Sequence, residues 1–344
     1  MVLRREFLKR LAITFFSMIT GCISKNELTI KENVKGESST KREIKSKVYV
    51  IKTADRRFGV RELMKKFDLE KLSGKKIALK ANYNSSDPFP ASTHIETLSA
   101  IVDELKAINS NVLLAERSGM GNTKKVLEDT GVISLAGKLG FEVVVLDDLK
   151  SNEWVRGKGD HWRKGFLFPR IFREADAIVQ TCCLKTHRFG GHFTMSLKNS
   201  VGMVAKYDPD DGYNYMSELH SSRYQRHMIA EINTAYDPEF MIMDGIKGFS
   251  KGGPDTGTLI EPEVLIASGD RVALDAVGVA ILRIYGTTGE VSKGDVFEQQ
   301  QIARGVELGL GASGPDDIEV IPVNNEAQDI CLIIQAHLKP TSTS

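Results

Sequence analysis

An α/β fold with a mainly parallel sheet flanked by helices, open to an arrangement of two α/β lobes sharing a cleft, is what this sequence predicts, and three observations carry it. From Lys47 to Val323, short apolar runs rich in β-formers alternate with stretches of helical periodicity. The runs repeatedly end in polar residues: Lys80 and Asn82, Glu116 and Ser118, Lys185 and His187, Asp244, then Ser268 and Asp270. Parallel strands deliver side chains in this way to a site beyond their carboxyl ends. The composition, 41% hydrophobic and 26% charged over 344 residues, is that of a globular chain able to bury a sizeable core.

The N-terminus comes first. Arg4-Arg5 ahead of Phe7-Leu8-Lys9, with a short apolar core from Leu11 to Met18, resembles a twin-arginine export signal. Ile19-Thr20-Gly21-Cys22 then resembles a lipobox, in which cleavage before the cysteine frees Cys22 for lipidation. The apolar core is too short for a comfortable membrane span. Residues 1–22 are therefore expected to be a signal with lipobox, and 23–46, rich in Lys, Glu, Ser and Thr, a flexible tether. An α/β domain over 47–325 and a C-terminal extension over 326–344 complete the expected organisation. The protein is expected outside the cytoplasm, exported by the twin-arginine route and anchored to a membrane through its lipid.

Lys47–Lys52 reads as the first strand, Val60–Phe67 as a short helix, and Lys76–Leu79 as a strand delivering Lys80-Ala81-Asn82. Thr93-x-x-Glu96 has the form of a capping box before the periodic Leu98, Ile101, Val102 and Leu105. Val112–Ala115 is a strand delivering Glu116-Arg117-Ser118-Gly119, followed by helices from Lys124 to Asp129 and on to Leu139, and Phe141–Leu146 is another strand. Lys150–Arg170, with two tryptophans, breaks the rhythm as a hairpin or surface insertion. Ala177–Leu184 is a buried strand ending in Lys185-Thr186-His187, then comes a loop with Gly190-Gly191 and His192, and Thr194 is placed to cap a helix holding Ser196, Lys198 and Asn199. Tyr207–Arg226 reads as a polar loop able to fold over a ligand, with His220 and His227 as surface residues, and Met228–Tyr236 as a helix. Phe240–Met243 delivers Asp244-Gly245 to a long loop over Lys247–Gly257, Val264–Ala267 delivers Ser268-Gly269-Asp270, and helices over Val272–Ile284 and Phe297–Leu308 lead to a last strand at Ile318–Val323.

Lys185-Thr186-His187, Thr194, Lys198-Asn199 and Gly202 resemble the central signature of the family called domain of unknown function 362. Lys80-x-Asn82, Asp244-Gly245 through Gly253-Pro254 and Gly257, and Ser268-x-Asp270 with Asp275 agree with it. The resemblance spans roughly residues 75 to 285 and implies no particular reaction. Some relatives add a cysteine-rich, ferredoxin-like segment, which this sequence does not contain. The order His187, Gly190-Gly191, Lys198, Gly202 also resembles the nickel-pincer lactate racemases, an analogy that points to proton or hydride transfer at a carboxylate.

A helix start flanked by lysines and hydroxyls suits a carboxylate or phosphate, so Lys80, Asn82, Lys185, Thr186, Thr194, Ser196 and Asn199 are the candidate substrate-binding residues, with His187 and Lys198 as catalytic candidates. His187, His192 and Glu116 are candidate ligands for a divalent transition metal. A turn at Gly-Gly with solvated lysines is the bland alternative. Forty-six basic against forty-five acidic residues give a net charge of +1, with no basic stripe for nucleic acid. Gly-x-Gly-x-x-Gly after an early strand, a P-loop and Gly-x-Ser-x-Gly are absent, which disfavours ordinary dinucleotide, NTP and nucleophile-elbow chemistry. The expectation is an enzyme acting on a small anion. A solute-binding lipoprotein is the first alternative. An iron-sulfur protein is the second, short of a thiolate because only Cys182, Cys183 and Cys331 remain if Cys22 is lipidated.

Overall fold

The computed structural model describes residues 45–339. The expected signal, Cys22 and nearly all of the expected tether lie outside those residues. Strands β1 (Ser46–Lys52), β2 (Lys76–Lys80), β3 (Asn111–Glu116) and β4 (Glu142–Val145) come first, and the next two, β5 (Trp154–Gly157) and β6 (Phe166–Pro169), pair only with each other. They are followed by β7 (Ala177–His187), β8 (His192–Thr194), β9 (Phe240–Gly252), β10 (Gly257–Ile260), β11 (Val264–Ser268) and β12 (Ile318–Pro322). One ten-stranded sheet runs β12-β1-β11-β9-β7-β2-β3-β4, with β8 and β10 hairpinned onto β7 and β9. The main path is parallel except at β11, which runs antiparallel to both β1 and β9. The α/β architecture with a mainly parallel sheet is thus present, and one continuous sheet takes the place of two lobes.

Strand alternation divides the core by face. Ile77, Leu79, Val179, Ile242 and Leu265 point to one side, where they meet helices α1 (Arg56–Met64), α2 (Ile95–Ala107), α3 (Thr123–Asp129) and α4 (Val132–Leu139). On the other side lie α5 (Arg170–Glu174), α6 (Ser196–Asn199), α7 (Tyr215–Ser221), α8 (Gln225–Ile232), α9 (Arg271–Ile284), α10 (Gly289–Ser292), α11 (Gln300–Glu307) and α12 (Gln328–Leu338). Ala78, Leu113 and Ile178 pack there with the β5–β6 hairpin and α8, and Val48, Cys182, Met241 and Ile266 with α9 and α12.

Several expectations change. α1 starts at Arg56 because the Asp55 side chain accepts from Phe58 N. The cap of α2 is His94, whose Nδ1 accepts from Glu96 N at 3.2 Å, while the Thr93 hydroxyl accepts from Asn82 N at 2.9 Å and fixes the chain after β2. Lys185-Thr186-His187 belong to β7 itself, and the expected loop after Asp244 is the continuation of β9. Because β11 is reversed, Ser268 and Asp270 end at the opposite edge from the other strand termini: Ser268 Oγ donates to Lys47 O, and Asp270 caps α9 at Val272 N and Ala273 N. Asp244 accepts from Arg56 at 2.9 Å and Thr97 at 2.6 Å and is fully buried. The expected extension after 325 contains α12, whose Cys331, Ile334 and Leu338 belong to the main core.

Candidate functional site

Along the sheet the chain steps outward from β2 to β3 to β4, then returns to set β7 on the other flank of β2. The order therefore reverses between β2 and β7, the position at which open α/β sheets leave a crevice beyond their carboxyl ends. A cavity of about 1090 Å³ opens there, lined by Lys80 at the end of β2, Asn82 just past it, Glu116 at the end of β3 and Arg117 just past it, Lys185 and His187 of β7, Thr194 of β8, and Lys198 and Asn199 of α6. The polar loop over Tyr207–Arg226 folds partly into α7 and α8 and forms an outer wall with Tyr207, Met216, His220, Arg223 and Arg226. Met120, Phe189, Val201 and Pro254 add apolar surface.

The cations of the floor differ in what they touch. Lys80 Nζ donates to Glu116 Oε1 at 2.6 Å, to Asn199 Oδ1 at 3.3 Å and to Ala81 O. Burial pushes its pKa down and that of Glu116 up, and their mutual attraction opposes both shifts. Lys185 Nζ donates to Asn82 Oδ1 at 2.7 Å, to Pro90 O at 3.2 Å and to Ala91 O, so it stitches the chain after β2 to β7. With three acceptors each, neither ammonium has a hydrogen left for a ligand. Arg117, 2% exposed, donates through its guanidinium to Val201 O and Ser118 O, and that guanidinium makes no ion pair among the described residues; burial lowers its pKa to about 10.

Lys198 stands apart. It is 8% exposed and lines the cavity, yet among the described residues its ammonium has no hydrogen bond or ion pair. Burial, then Lys185, then Arg117 lower its pKa to about 7. His187 is kept neutral by burial and by the same lysines, with Nδ1 buried and unpartnered and its ring edge-on to Phe189 at 5.8 Å. Gly191 lets these two approach: a Cβ there would lie 2.7 Å from Lys198 Cε and 3.0 Å from His187 Nδ1. Gly202 does the same for the ion pair, since its Cβ would lie 2.8 Å from Lys80 Nζ and 3.1 Å from Glu116 Oε1.

Four expectations about the site need correction. The start of α6 is not free for a ligand: Asp275, reaching in from α9, accepts from Ser196 N at 2.7 Å and Leu197 N at 3.1 Å, and Thr194 makes no cap. Thr186 and Ser196 face away from the cavity, the first donating to Phe249 O and Gly252 O, the second to Met241 Sδ. The proposed metal ligands do not gather, for His187 and His192 pair across β7 and β8, Glu116 is spent on Lys80, and no group of three ligating side chains forms among the described residues. This donor set does not fit a transition metal. Cys182, Cys183 and Cys331 are buried with thiol pKa values pushed up, to about 11 for the last two, and form no cluster. His220 is exposed, as expected of a surface residue, and lies on the outer wall of the cavity. The outer wall comes from the polar segment expected to fold over a ligand, whereas Arg117 is not among the expected site residues; its only sequence signal is its place beside Glu116 at a strand end.

Fold and site together define an α/β protein with a cavity lined by buried basic side chains at the reversal point of a mainly parallel sheet. The family model described as domain of unknown function (DUF362) matches residues 77–280, and the chain belongs to that family. A thylakoid-associated protein of Synechocystis sp. is 25% identical over 199 residues, covering 57% of this chain and 59% of that protein, so the match spans less than two thirds of the relative. The lactate racemase apoprotein of Thermoanaerobacterium thermosaccharolyticum superposes with a TM-score of 0.39 at 14% identity, over 86% of this chain and 87% of that one.

Proposed function

We propose that this protein is an extracytoplasmic, lipid-anchored enzyme that binds a small organic anion, a carboxylate or a phosphate, and moves a proton on it with Lys198. The observation that supports this is the uncommitted Lys198 ammonium facing a cavity whose floor holds three further buried cations and a single carboxylate, Glu116, already paired to Lys80. A protein of net charge +1 has no general reason to concentrate like charges in one crevice, and an anionic ligand relieves their repulsion. Lys198, with a pKa near 7 in the empty cavity, can hold the anion as ammonium or take a proton as amine. His187 stays neutral and orients substrate by hydrogen bonding without adding charge. Asn82 and Lys185 position the site, and the volume leaves room for an organic body against Met120, Phe189 and Met216.

The test is thermal melting with and without a panel of small carboxylates and phosphates, for wild type and Lys198→Ala. Wild type is expected to gain several degrees from the matching anion and the variant to gain none while melting no lower when empty. A variant that melts lower yet gains ligand stabilisation equal to wild type would make Lys198 structural and remove the reading. Exchange of a substrate proton with deuterium from solvent then separates an enzyme from a solute-binding lipoprotein, which would bind without exchange.

A further inference from the structure

Resting on the anion site just described, we infer that Lys198 is a nucleophile that forms an imine with an anion carrying an aldehyde or ketone, so that the substrate class is a carbonyl-bearing carboxylate or phosphate. Three features of the cavity point this way. Among the described residues Lys198 lies in it without an acceptor, whereas the ammoniums of Lys80 and Lys185 are each held by three. A residue serving only as an anion clamp has no need to be a lysine stripped of partners, because arginine holds charge and a bidentate grip in the same place. Its surroundings favour the free amine: Lys185 from β7, Arg117 from the end of β3 and His187 beside it supply positive or neutral groups, His220 comes from α7, and Glu116 faces Lys80. Gly191 packs against the methylene stem at a distance no side chain could share, which holds the amine in the cavity. Desolvation beside other cations is the known physical route to a reactive lysine.

The step balances without a further reagent. The neutral amine attacks the carbonyl carbon, a C–N bond forms and the carbonyl π pair moves to oxygen. Nitrogen gives up a proton to that oxygen, directly or through water, and the resulting hydroxyl leaves as water after taking one more proton. The net change is ammonium plus carbonyl giving protonated imine plus water. The protonated imine is an electron sink that weakens the bonds on the adjacent carbon, which gives a proton-transfer site something to act on.

The probe is glyoxylate, the smallest anionic aldehyde, which a cavity of about 1090 Å³ admits. Protein is incubated with glyoxylate at pH 7, reduced with cyanoborohydride, and digested for peptide mass mapping. With the Lys198 pKa near 7, its free-amine fraction exceeds that of an exposed lysine about a thousandfold, and after its lower intrinsic nucleophilicity labelling is expected about a hundredfold faster than at exposed lysines. Lys198→Arg is expected to lose the adduct while glycolate, the corresponding carboxylate without the aldehyde, still raises its melting temperature. Label spread over exposed lysines with Lys198 unmodified, in protein that glycolate stabilises, overturns the imine and leaves the anion site standing. No adduct at Lys198 together with no stabilisation by glycolate or by any member of the carboxylate and phosphate panel overturns both.

Discussion

Lys198 owes its position to a glycine on another element, and both can be tested by substitution. Its pKa in the fold lies below the ordinary lysine value, so the empty folded state resists the proton that the unfolded chain accepts. The lysine therefore costs the ligand-free protein nothing above about pH 10.5 and progressively more as pH falls towards 7, with the full cost below that. Lys198→Met is expected to stabilise the empty protein by about 1–3 kcal/mol at pH 6–7, with the gain closing near pH 10; denaturant titration at three pH values measures it. Gly191→Ala puts a methyl 2.7 Å from Lys198 Cε and is expected to cost at least about tenfold in anion affinity, with a stability loss of about 1 kcal/mol. Gly202→Ala drives the same group into the buried Lys80–Glu116 pair and should cost about 3 kcal/mol, read by chemical denaturation. Lys80, Asn82, Lys185, His187 and Lys198 were legible because a polar residue at the end of an apolar run has few other reasons to be there. That Lys80 and Lys185 are spent internally was not, since their acceptors include backbone carbonyls as much as 95 residues away in sequence.

Helix α6 is one turn long and carries Lys198, so what fixes its start fixes the site. That role belongs to Asp275, on the α9 helix, whose carboxylate accepts from Ser196 N and Leu197 N. Burial nevertheless raises its pKa to about 7, because the two amides offset the lost hydration only in part. A folded-state pKa above the unfolded one means stability that is present at pH below about 3.8 and is lost as pH rises through about 7. Asp275→Asn does not titrate. It is expected to be less stable than wild type at pH 5, by about 1–3 kcal/mol for the amide it leaves unpaired, and to close that gap by pH 8; paired melts at the two pH values decide. The strand ahead of the glycines is readable from apolar patterning and the helix after them from a candidate cap, but the start of α6 was assigned to the wrong partner. Thr194 has the residue type of a cap but lies one residue ahead of the capping position, which Met195 occupies, and tertiary packing lets a carboxylate 79 residues away take the free amides instead.

At the scale of the molecule, alternating apolar runs predicted the parallel sheet because βαβ units write themselves locally in the chain. Strand order does not, and the reversed β11 is the case in point: Ser268 and Asp270 terminate a strand as clearly as Lys80 does, yet they open at the other edge. The cavity exists because five consecutive strands, β9-β7-β2-β3-β4, share a direction and the connections reverse in their midst. Anion binding there is expected to weaken modestly between 0.05 and 0.5 M sodium chloride, less than at an exposed basic patch, because buried charges are poorly screened; calorimetric titration at the two salt concentrations checks this. Outside the described residues, the arginine pair and Cys22 support a further expectation. The mature protein should fractionate with membranes, Cys22→Ser should release it, and wild type recovered wholly soluble with its leader intact would end the lipid-anchor reading.

The place of β1 bears on how the chain is made. It is the first of the described strands to be synthesised, but its two sheet neighbours are β11 and β12, and its end contacts join Ser46 to Asp270 and Lys52 to Asn324, separations of 224 and 272 residues. Ile51 meets α1 soon after synthesis, but at roughly 5–20 residues per second on the ribosome the Val48 and Val50 side chains, which pack towards α9 and α12, wait about 15–50 s for both neighbouring strands. Such late, distant pairing makes for slow closure, and it gives a nascent-chain chaperone its longest-lived apolar target at this first strand.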